Sequence, residues 1–419
     1  MQKLYNMIVY EHQRLYVGEQ GFNQKHLDAL LKLNEYHNWK YFQAISKGIQ
    51  FNQYVGIIQI DGLSIEIHPK ADKNDADGKW QGVLLHMLEA CGKLKAESAG
   101  AANVKRTNLN LLEVYFDLYL SEIETLLRKG FIKQYRKETS NTKALKGKLE
   151  FAGNIQKNLV HKERFYTTHQ VYDTNHLLHQ VLYNALEIVG QFTKGTQLYE
   201  RCKRLALNFE KISKKNITKQ QVNSIQLNRK SASYSYGLEL ARLIILNYSP
   251  NISDGKEKMV SLLFDMNVLW ETYILKQLQK YCEGKNIEVF GQESKSFWGS
   301  NSLKPDIILK KDGKTYIIDT KWKCPNGSAS VSDLRQMYSY CRFWNAEKAL
   351  LLYPVENKNN SFKSFETDDY SIYENETQQI NHQCKMGFVS VLDENDDLND
   401  SIGIEVLRIM GILKNKSKK

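Results

Sequence analysis

The stretch Lys304-Pro-Asp-Ile-Ile-Leu-Lys-Lys-Asp-Gly-Lys-Thr-Tyr-Ile-Ile-Asp-Thr-Lys-Trp-Lys323 reads as a β-hairpin with two carboxylates and a lysine at its open end. Asp312-Gly313 favours a two-residue type I′ turn, because both central residues of that turn need positive φ, and two β-rich runs flank it. Counting outward pairs Lys311 with Lys314, Leu309 with Tyr316, Ile307 with Ile318, and Asp306 with Asp319. A four-residue loop centred on the same dipeptide gives the same pairing. Side chains alternate along a strand, so Thr315, Ile317, Asp319 and Lys321 share one face and Asp306 stands opposite Asp319 on it. Like charges facing each other on a sheet repel, and a divalent cation held by oxygen ligands is the counter-charge that fits. The alternative is a pair of solvated residues where strands fray. The flanking Ile307, Ile308, Leu309, Ile317 and Ile318 argue for burial instead, and unpaired buried carboxylates are rare.

The rest of the chain bounds what such a hairpin can serve. At 419 residues it is too long for one ordinary core, and two or three domains are expected. Hydrophobic content of 42% with 25% charged residues fits a folded globular protein and excludes a disordered one. A formal charge of +11 and a pI near 9.0 favour an anionic partner, nucleic acid before a membrane surface. Lysine enrichment from codon bias would give the same charge with no ligand. No apolar run of about 18 residues is present, so no membrane span is expected. The start, Met1 to His12, carries Glu11 within its apolar stretch and has no signal-peptide pattern. Cys91, Cys202, Cys282, Cys324, Cys341 and Cys384 are scattered with no C-x-x-C pair, which suits reduced thiols in the cytoplasm.

In chain order, residues 1–95 read as a small α+β domain: a strand at Met7 to Tyr10, a short helix at His26 to Leu33, and a hairpin from Val55 to His68 turning on Asp61-Gly62. There, Ile58, Ile60, Ile65 and Ile67 alternate with Gln59, Ser64 and Glu66, which implies one buried and one wet face. A helix from Trp80 to Cys91 follows. No catalytic constellation stands out, which suits an adaptor or partner-binding module. Residues 96–104, small and weakly patterned, read as a linker.

Residues 105–248 read as a mostly helical middle region, with helices at Leu109 to Arg128, Asn175 to Phe192, Tyr199 to Ile212 and Tyr236 to Leu246. The positive charge concentrates here: Arg128 to Arg164 holds eleven Lys/Arg against three Glu, and Lys194 to Lys230 holds ten against two. The first run interleaves Phe131, Tyr135, Phe151, Phe165 and Tyr166, a combination that suits phosphate contacts with stacking. Arg128, Lys129, Lys133, Arg136, Lys137, Lys143, Lys146 and Lys148 are the candidate DNA-binding residues. The alternative is a solvated helical face. His176 and His179, three apart on a helix, lack a third ligand nearby and read as core or cap histidines rather than a metal site.

Ser249-Pro-Asn-Ile-Ser-Asp-Gly255 is a break, and residues 255–419 read as an α/β domain with a mixed central sheet. Its first helix is expected over Met259 to Cys282, apolar on nearly every side and therefore buried. Glu271 inside it needs a partner, either a metal shared with Asp306 and Asp319 or an arginine elsewhere in the core. After the hairpin, Ser330 and Asp333 form an expected capping box for a helix to about Phe343, on which Gln336 and Tyr340 are four apart and point the same way. A buried strand at Ala349 to Tyr353, an Asn/Lys/Ser-rich loop, a strand at Phe388 to Leu392 and a terminal helix or strand complete the chain.

Asp306, Asp319 and Lys321 give the pattern P-D followed, after twelve intervening residues, by D-x-K. Two carboxylates bind one or two Mg2+ ions, with Mn2+ as a substitute, and the ions polarise a phosphate and acidify a bound water. Lys321 orients or deprotonates that water, or stabilises charge on the phosphate. This arrangement resembles the PD-(D/E)xK nuclease superfamily, with Asp in place of the commoner Glu. The resemblance implies that Asp306 and Asp319 are metal ligands and Lys321 the catalytic lysine. It further implies that Glu271 is the acidic residue of the first core helix, and Gln336 with Tyr340 a Q-x-x-x-Y element.

A resemblance covering most of the chain rests on Phe264-Asp-Met-Asn-Val-Leu-Trp-Glu271, Ile317-Ile-Asp-Thr-Lys-Trp322, Asp333-Leu-Arg-Gln-Met-Tyr-Ser-Tyr340 and Tyr172-Asp-Thr-Asn-His-Leu177. These look like the McrC family, the nuclease subunit of McrBC restriction systems that cut DNA carrying modified cytosine. The resemblance implies a type IV restriction role in phage defence. It also implies a separate McrB-like AAA+ GTPase ring on which this subunit docks through its N-terminal portion, stimulating GTP hydrolysis and cutting. The chain has no G-x-x-x-x-G-K-[ST] phosphate loop of its own. Two alternatives stay open: an adaptor that activates the GTPase without cutting, and an autonomous structure-specific nuclease.

Overall fold

A computed structural model describes residues 5–60, 63–69, 79–94, 110–249, 259–325, 327–355, 359–366 and 381–413. The expected turn at Asp61-Gly62, the linker at 96–104, most of the break at 249–255 and much of the Asn/Lys/Ser-rich loop lie outside the described residues. In chain order the first elements are β1 (Tyr5–Tyr10), β2 (Arg14–Tyr16), α1 (Gln24–Tyr36), β3 (Phe42–Ile45), β4 (Gly48–Phe51), β5 (Tyr54–Ile60), β6 (Leu63–His68) and α2 (Lys79–Ala90). Next come α3 (Leu111–Lys129), β7 (Gln134–Thr142), β8 (Lys148–Leu149), α4 (Phe151–Asn158), β9 (Phe165–Asp173), α5 (Leu177–Phe192), α6 (Gln197–Ala206), α7 (Lys219–Ser224), α8 (Ser235–Leu246) and β10 (Tyr248–Ser249). The remainder is β11 (Met259–Asp265), α9 (Met266–Cys282), β12 (Glu288–Gly291), β13 (Lys295–Trp298), β14 (Asn301–Leu303), β15 (Ile307–Lys311), β16 (Lys314–Thr320), α10 (Val331–Trp344), β17 (Lys348–Tyr353), β18 (Lys363–Ser364), β19 (Gln383–Phe388) and α11 (Ile402–Ile409).

The chain divides into two compact units. One is drawn from Met1–Ile58, Gly62–Thr107 and Leu263–Lys419, the other from Gln59–Asp61 and Asn108–Leu262. The N-terminal segment therefore shares a unit with the hairpin. Trp322 Nε1 donates to Glu11 Oε1 at 2.7 Å, Met266 N to Gln53 O at 3.0 Å, and the Cys91 thiol to Leu269 O at 3.6 Å. Here β1 pairs with β6 in parallel. The face expected to be wet is largely covered, because Ser64 is buried and Gln59 and Glu66 only partly exposed.

In the same unit a six-stranded mixed sheet runs β12-β15-β16-β17-β19-β18. The hairpin register is the counted one, with Ile307 opposite Ile318, Leu309 opposite Tyr316 and Lys311 opposite Lys314. Asp312 and Gly313 have φ of 50° and 74°, as a turn with both central residues left-handed requires. Beyond the hairpin the neighbours become parallel, β16 to β17 and β17 to β19, because α10 carries the chain back across one face of the sheet. Met337, Tyr340, Cys341 and Trp344 of α10 pack on Ile308, Ile317, Ala349 and Leu351 to form that side of the core.

The structure corrects several expectations. Met259–Asp265 is a strand and the helix begins at Met266, because the Asp265 carboxylate caps it by accepting from Asn267 N at 3.0 Å. The continuous apolar run was the signature of a buried strand followed by a helix, which periodicity alone does not separate. The middle region has six α-helices among its described residues, but part of its basic run, Arg136, Lys137 and Lys148, lies on a three-stranded sheet, β7-β9-β8. Strand β7 alternates partly covered and exposed polar residues, so it shows no apolar period. The late strand falls at Gln383–Phe388 rather than Phe388 to Leu392, and the terminal element is the helix α11.

Helix α11 lies so close to α9 that a Cβ on Gly403 would sit 2.7 Å from the Gln277 carbonyl oxygen. Backbone cannot yield as a flexible side chain can, so Gly403→Ala is expected to destabilise the protein by about 1–3 kcal/mol. A thermal melt that leaves the midpoint unchanged would contradict this packing.

Candidate active site

The hairpin's open end brings together most of the expected site residues. Asp306 lies just before β15 and Asp319 next to the end of β16, and continuing the register sets them opposite one another. Asp319 is only 1% exposed, so the frayed, solvated alternative does not hold. Burial first, and the neighbouring Asp306 charge second, push its carboxyl up to about 6 against the pull of Lys321. Asp306 is raised too, by burial, although its Oδ2 accepts from Thr320 N at 2.7 Å and Thr320 Oγ1 at 2.9 Å.

Lys321 Nζ lies 2.6 Å from Asp319 Oδ2, 3.2 Å from Gln336 Oε1 and 3.9 Å from Asp333 Oδ1. Burial draws this ammonium down, but Asp319, Asp333 and Asp306 outweigh it and keep the lysine charged. Gln336 and Tyr340 act as a pair. Gln336 Nε2 donates to Tyr340 OH at 2.8 Å, and that hydroxyl donates to Lys304 O at 3.0 Å. The amide is thereby oriented with its oxygen toward Lys321, while α10 is tied to the segment leading into Asp306.

Glu271 on α9 completes the group, and a glutamine rather than an arginine is bonded to it. Gln292 Nε2 donates to Glu271 Oε1 at 2.5 Å, and Gln292 Oε1 accepts from Lys304 Nζ at 2.7 Å. Burial and the Asp306 charge raise the Glu271 carboxyl. Gln292, with φ of 53°, and Lys304 were not assigned roles from sequence, nor was Thr320, and Asp333 had only a capping role. Ser330 does cap α10, accepting from Asp333 N at 3.1 Å, but the Asp333 carboxylate faces Lys323 at 2.7 Å instead of closing a capping box. The spacing 333, 336, 340 puts three polar side chains along one helix face and was the available signal.

The donor set suits a hard divalent cation. Asp319 is buried opposite Asp306, and the Lys321 ammonium, 2.6 Å from Asp319 Oδ2, sets one positive charge against two carboxylates. Among the described residues no three His, Cys, Asp or Glu side chains gather into a self-sufficient metal cage. Mg2+, which keeps several waters and takes one or two carboxylates plus substrate phosphate, is a cation that such a pair could hold.

The basic run lies in the other unit. Arg128, Lys129, Lys133, Lys137, Lys143, Lys146 and Lys148 are exposed. Arg136 is not free: it forms a two-bonded pair with Asp173 at 3.1 and 2.8 Å and also meets Glu138 at 2.5 Å. Of the interleaved aromatics, Tyr135 and Phe151 are exposed, whereas Phe131 packs on His179 and Phe209. His176 and His179 are buried and bonded to the carbonyls of Ile132 and Thr174, as core histidines.

Comparison with known proteins defines the class. The family described as "McrBC 5-methylcytosine restriction system component" matches residues 49–354, which include both the basic run and the carboxylate hairpin. The chain belongs to this family, as an McrC-type subunit. It is 20% identical over 246 residues to the Type IV methyl-directed restriction enzyme EcoKMcrBC of Escherichia coli strain K12, covering 52% of this chain and 68% of that protein. A chain in the Thermococcus gammatolerans assembly of McrB AAA+ hexamers with bound McrC has the same fold. The TM-score is 0.64 at 18% identity, over 96% of this chain and 100% of that one. A chain of the Thermococcus gammatolerans McrBC complex gives a TM-score of 0.49 at 20% identity, over 65% and 87%.

A carboxyl raised on folding is favourable to the fold while protonated, and that advantage is lost as pH rises through about 6. Asp319→Asn is therefore expected to raise the thermal midpoint at pH 8, by roughly 1–3 kcal/mol of stability, in the absence of divalent cation. The difference should narrow as pH falls below about 6 and close below about 4, where the carboxyl is protonated in the unfolded chain as well. Melts across that range check it. A variant less stable than wild type at pH 8 would show that the Lys321 ion pair outweighs the burial of charge.

Proposed function

We propose that this chain is the DNA-cutting subunit of a GTP-dependent McrBC-type restriction system, a Mg2+-dependent endodeoxyribonuclease of PD-(D/E)xK type activated by an McrB-like AAA+ GTPase ring. The observation that carries the reading is the half-buried Asp306 beside the buried Asp319, with Lys321 Nζ 2.6 Å from Asp319, at the end of a mixed sheet. Asp306 and Asp319 would hold the cation, which when bound polarises the phosphate and lowers the pKa of a coordinated water. Thr320 fixes one Asp306 oxygen and leaves the other available. Lys321, held by the Gln336 amide, presents its ammonium to the attacking water or the phosphate, and the Gln336–Tyr340 pair keeps that amide from rotating. Glu271, secured by Gln292, adds a third carboxylate beside Asp306 for a water or a second ion.

Replacing Asp319 or Lys321 by Ala is expected to lower plasmid cleavage at least about 100-fold, with partner, GTP and Mg2+ present, while partner binding persists. Unchanged cutting removes the assignment. Wild-type protein that stimulates GTP hydrolysis but never nicks DNA is an adaptor; wild-type protein that cuts without partner or nucleotide is an autonomous nuclease.

To the partner contact expected of the N-terminal portion we add a second one on α4. Phe151, Ile155 and Leu159 recur at four-residue spacing, and all are more than 60% exposed, as is Val160 beside them. An exposed apolar stripe of this size is characteristic of a protein interface. Ile155→Asp with Leu159→Asp is expected to abolish co-purification with the GTPase and its stimulation, without lowering the thermal midpoint. Retained co-purification would move the contact elsewhere.

A further inference from the structure

The short hairpin β13–β14 is unexplained by the site it precedes. Its turn is Gly299-Ser300, with Gly299 at φ of 58°, and Trp298 pairs with Asn301 beside it. Trp298 is 75% exposed, although a side chain of that size normally finds cover. The register shifts between Ser296 and Trp298, so Phe297 is turned aside onto Phe343 of α10, ring centroids 5.4 Å apart. Lys295 Nζ donates to Phe343 O at 2.7 Å and lies 4.9 Å from the Trp344 ring centroid. The base of the hairpin is thus pinned to α10, while its tip presents an indole to solvent.

The charge of the surroundings selects the partner. Residues 294–305 contain no Asp or Glu, and the only acid in α10 is the buried Asp333. Arg335 and Arg342 of α10 are exposed and enter no ion pair among the described residues. Lys295 is bonded to a neutral carbonyl, so its charge stays uncompensated there. Hydroxyl and amide side chains at Ser294, Ser296, Ser300, Asn301 and Ser302 fill the rest of the ribbon. A cationic, acid-free ribbon with an exposed indole suits a polyanion with stacking faces. Asn301 is five residues from Asp306, about 17 Å of extended chain at most, which is about five base steps of DNA.

We propose that Trp298 is a DNA-stacking wedge, inserted against an unpaired or unstacked base within about five base pairs of the phosphate to be cut, with Lys295, Arg335 and Arg342 on the adjoining backbone. This rests on the reading of the chain as a DNA nuclease. A wedge must unstack intact duplex before it inserts, whereas a gap offers the base at no such cost.

The test uses the full chain without divalent cation and fluorescence anisotropy of two labelled duplexes of about 30 base pairs, one fully paired and one carrying a central single-nucleotide gap. Wild type is expected to prefer the gapped duplex roughly 10-fold, Trp298→Ala to lose that preference, and Trp298→Phe to keep most of it. Thermal midpoints should be equal, since the indole covers nothing. A wild type with no preference, or a Trp298→Ala protein that retains it, overturns the wedge while leaving nuclease function untouched. Trp298→Ala that weakens GTPase binding but neither DNA affinity overturns it in favour of a protein contact. Wild type that binds neither duplex, and nicks no plasmid when partner, GTP and Mg2+ are supplied, removes the nuclease reading, and the wedge with it.

Discussion

The burial of Asp319 opposite Asp306 is the constraint around which the carboxylate-bearing unit is arranged. Taking a carboxylate out of water is costly unless it is paired and hydrogen-bonded, and a second carboxylate across the strand adds to the cost. The surroundings respond in layers. Lys321 supplies an ammonium to Asp319, Thr320 supplies two donors to Asp306, and Gln336 and Asp333 hold Lys321 in turn. The buried Oδ2 of Asp319 rests on the Lys321 ammonium. A fold that only had to be stable would place an apolar residue there. Retaining the charge is the pattern of a site that trades stability for function.

The supporting shell explains why distant parts of the chain meet. Tyr340 ties α10 to the Lys304 carbonyl, Gln292 ties Lys304 to Glu271 on α9, and Trp322 ties the end of the site hairpin to Glu11 near the N-terminus. Trp322 also meets Trp270, one residue before Glu271, with ring centroids 5.6 Å apart. The N-terminal segment therefore buttresses the site. Gln292, Thr320 and Asp333 act through other side chains and are positioning residues.

Much of the site was legible before the structure, because its information is local. Asp312-Gly313 demands two left-handed residues, that turn sets the register, and the register sets Asp306 opposite Asp319 with Lys321 two residues on. Helical spacing likewise put Gln336 and Tyr340 on one face, where they are bonded to each other. The failures share a cause. Met259–Asp265 was taken for helix because a buried strand and a buried helix are both continuously apolar. Strand β7, wet on one side and polar throughout, gave no period to detect. The pairing of Arg136, a candidate phosphate ligand by sequence, with Asp173, thirty-seven residues away, is visible only in the packed structure.

The sequence by itself determined the elements whose geometry is written in a few consecutive residues: the site hairpin, its register, the carboxylate pair, the capped helix carrying Gln336, and the family. Only the tertiary structure decided which residues answer the buried charge. Gln292 on Glu271, Thr320 on Asp306, Asp333 beside Lys321 and Glu11 on Trp322 are contacts between side chains from different elements. Chain proximity does not encode such contacts, since each depends on how separately formed strands and helices pack. The exposure of Trp298 and of the α4 stripe is likewise a tertiary fact. An apolar residue in sequence asks for burial, and only the packed structure reveals which ones are left for a partner.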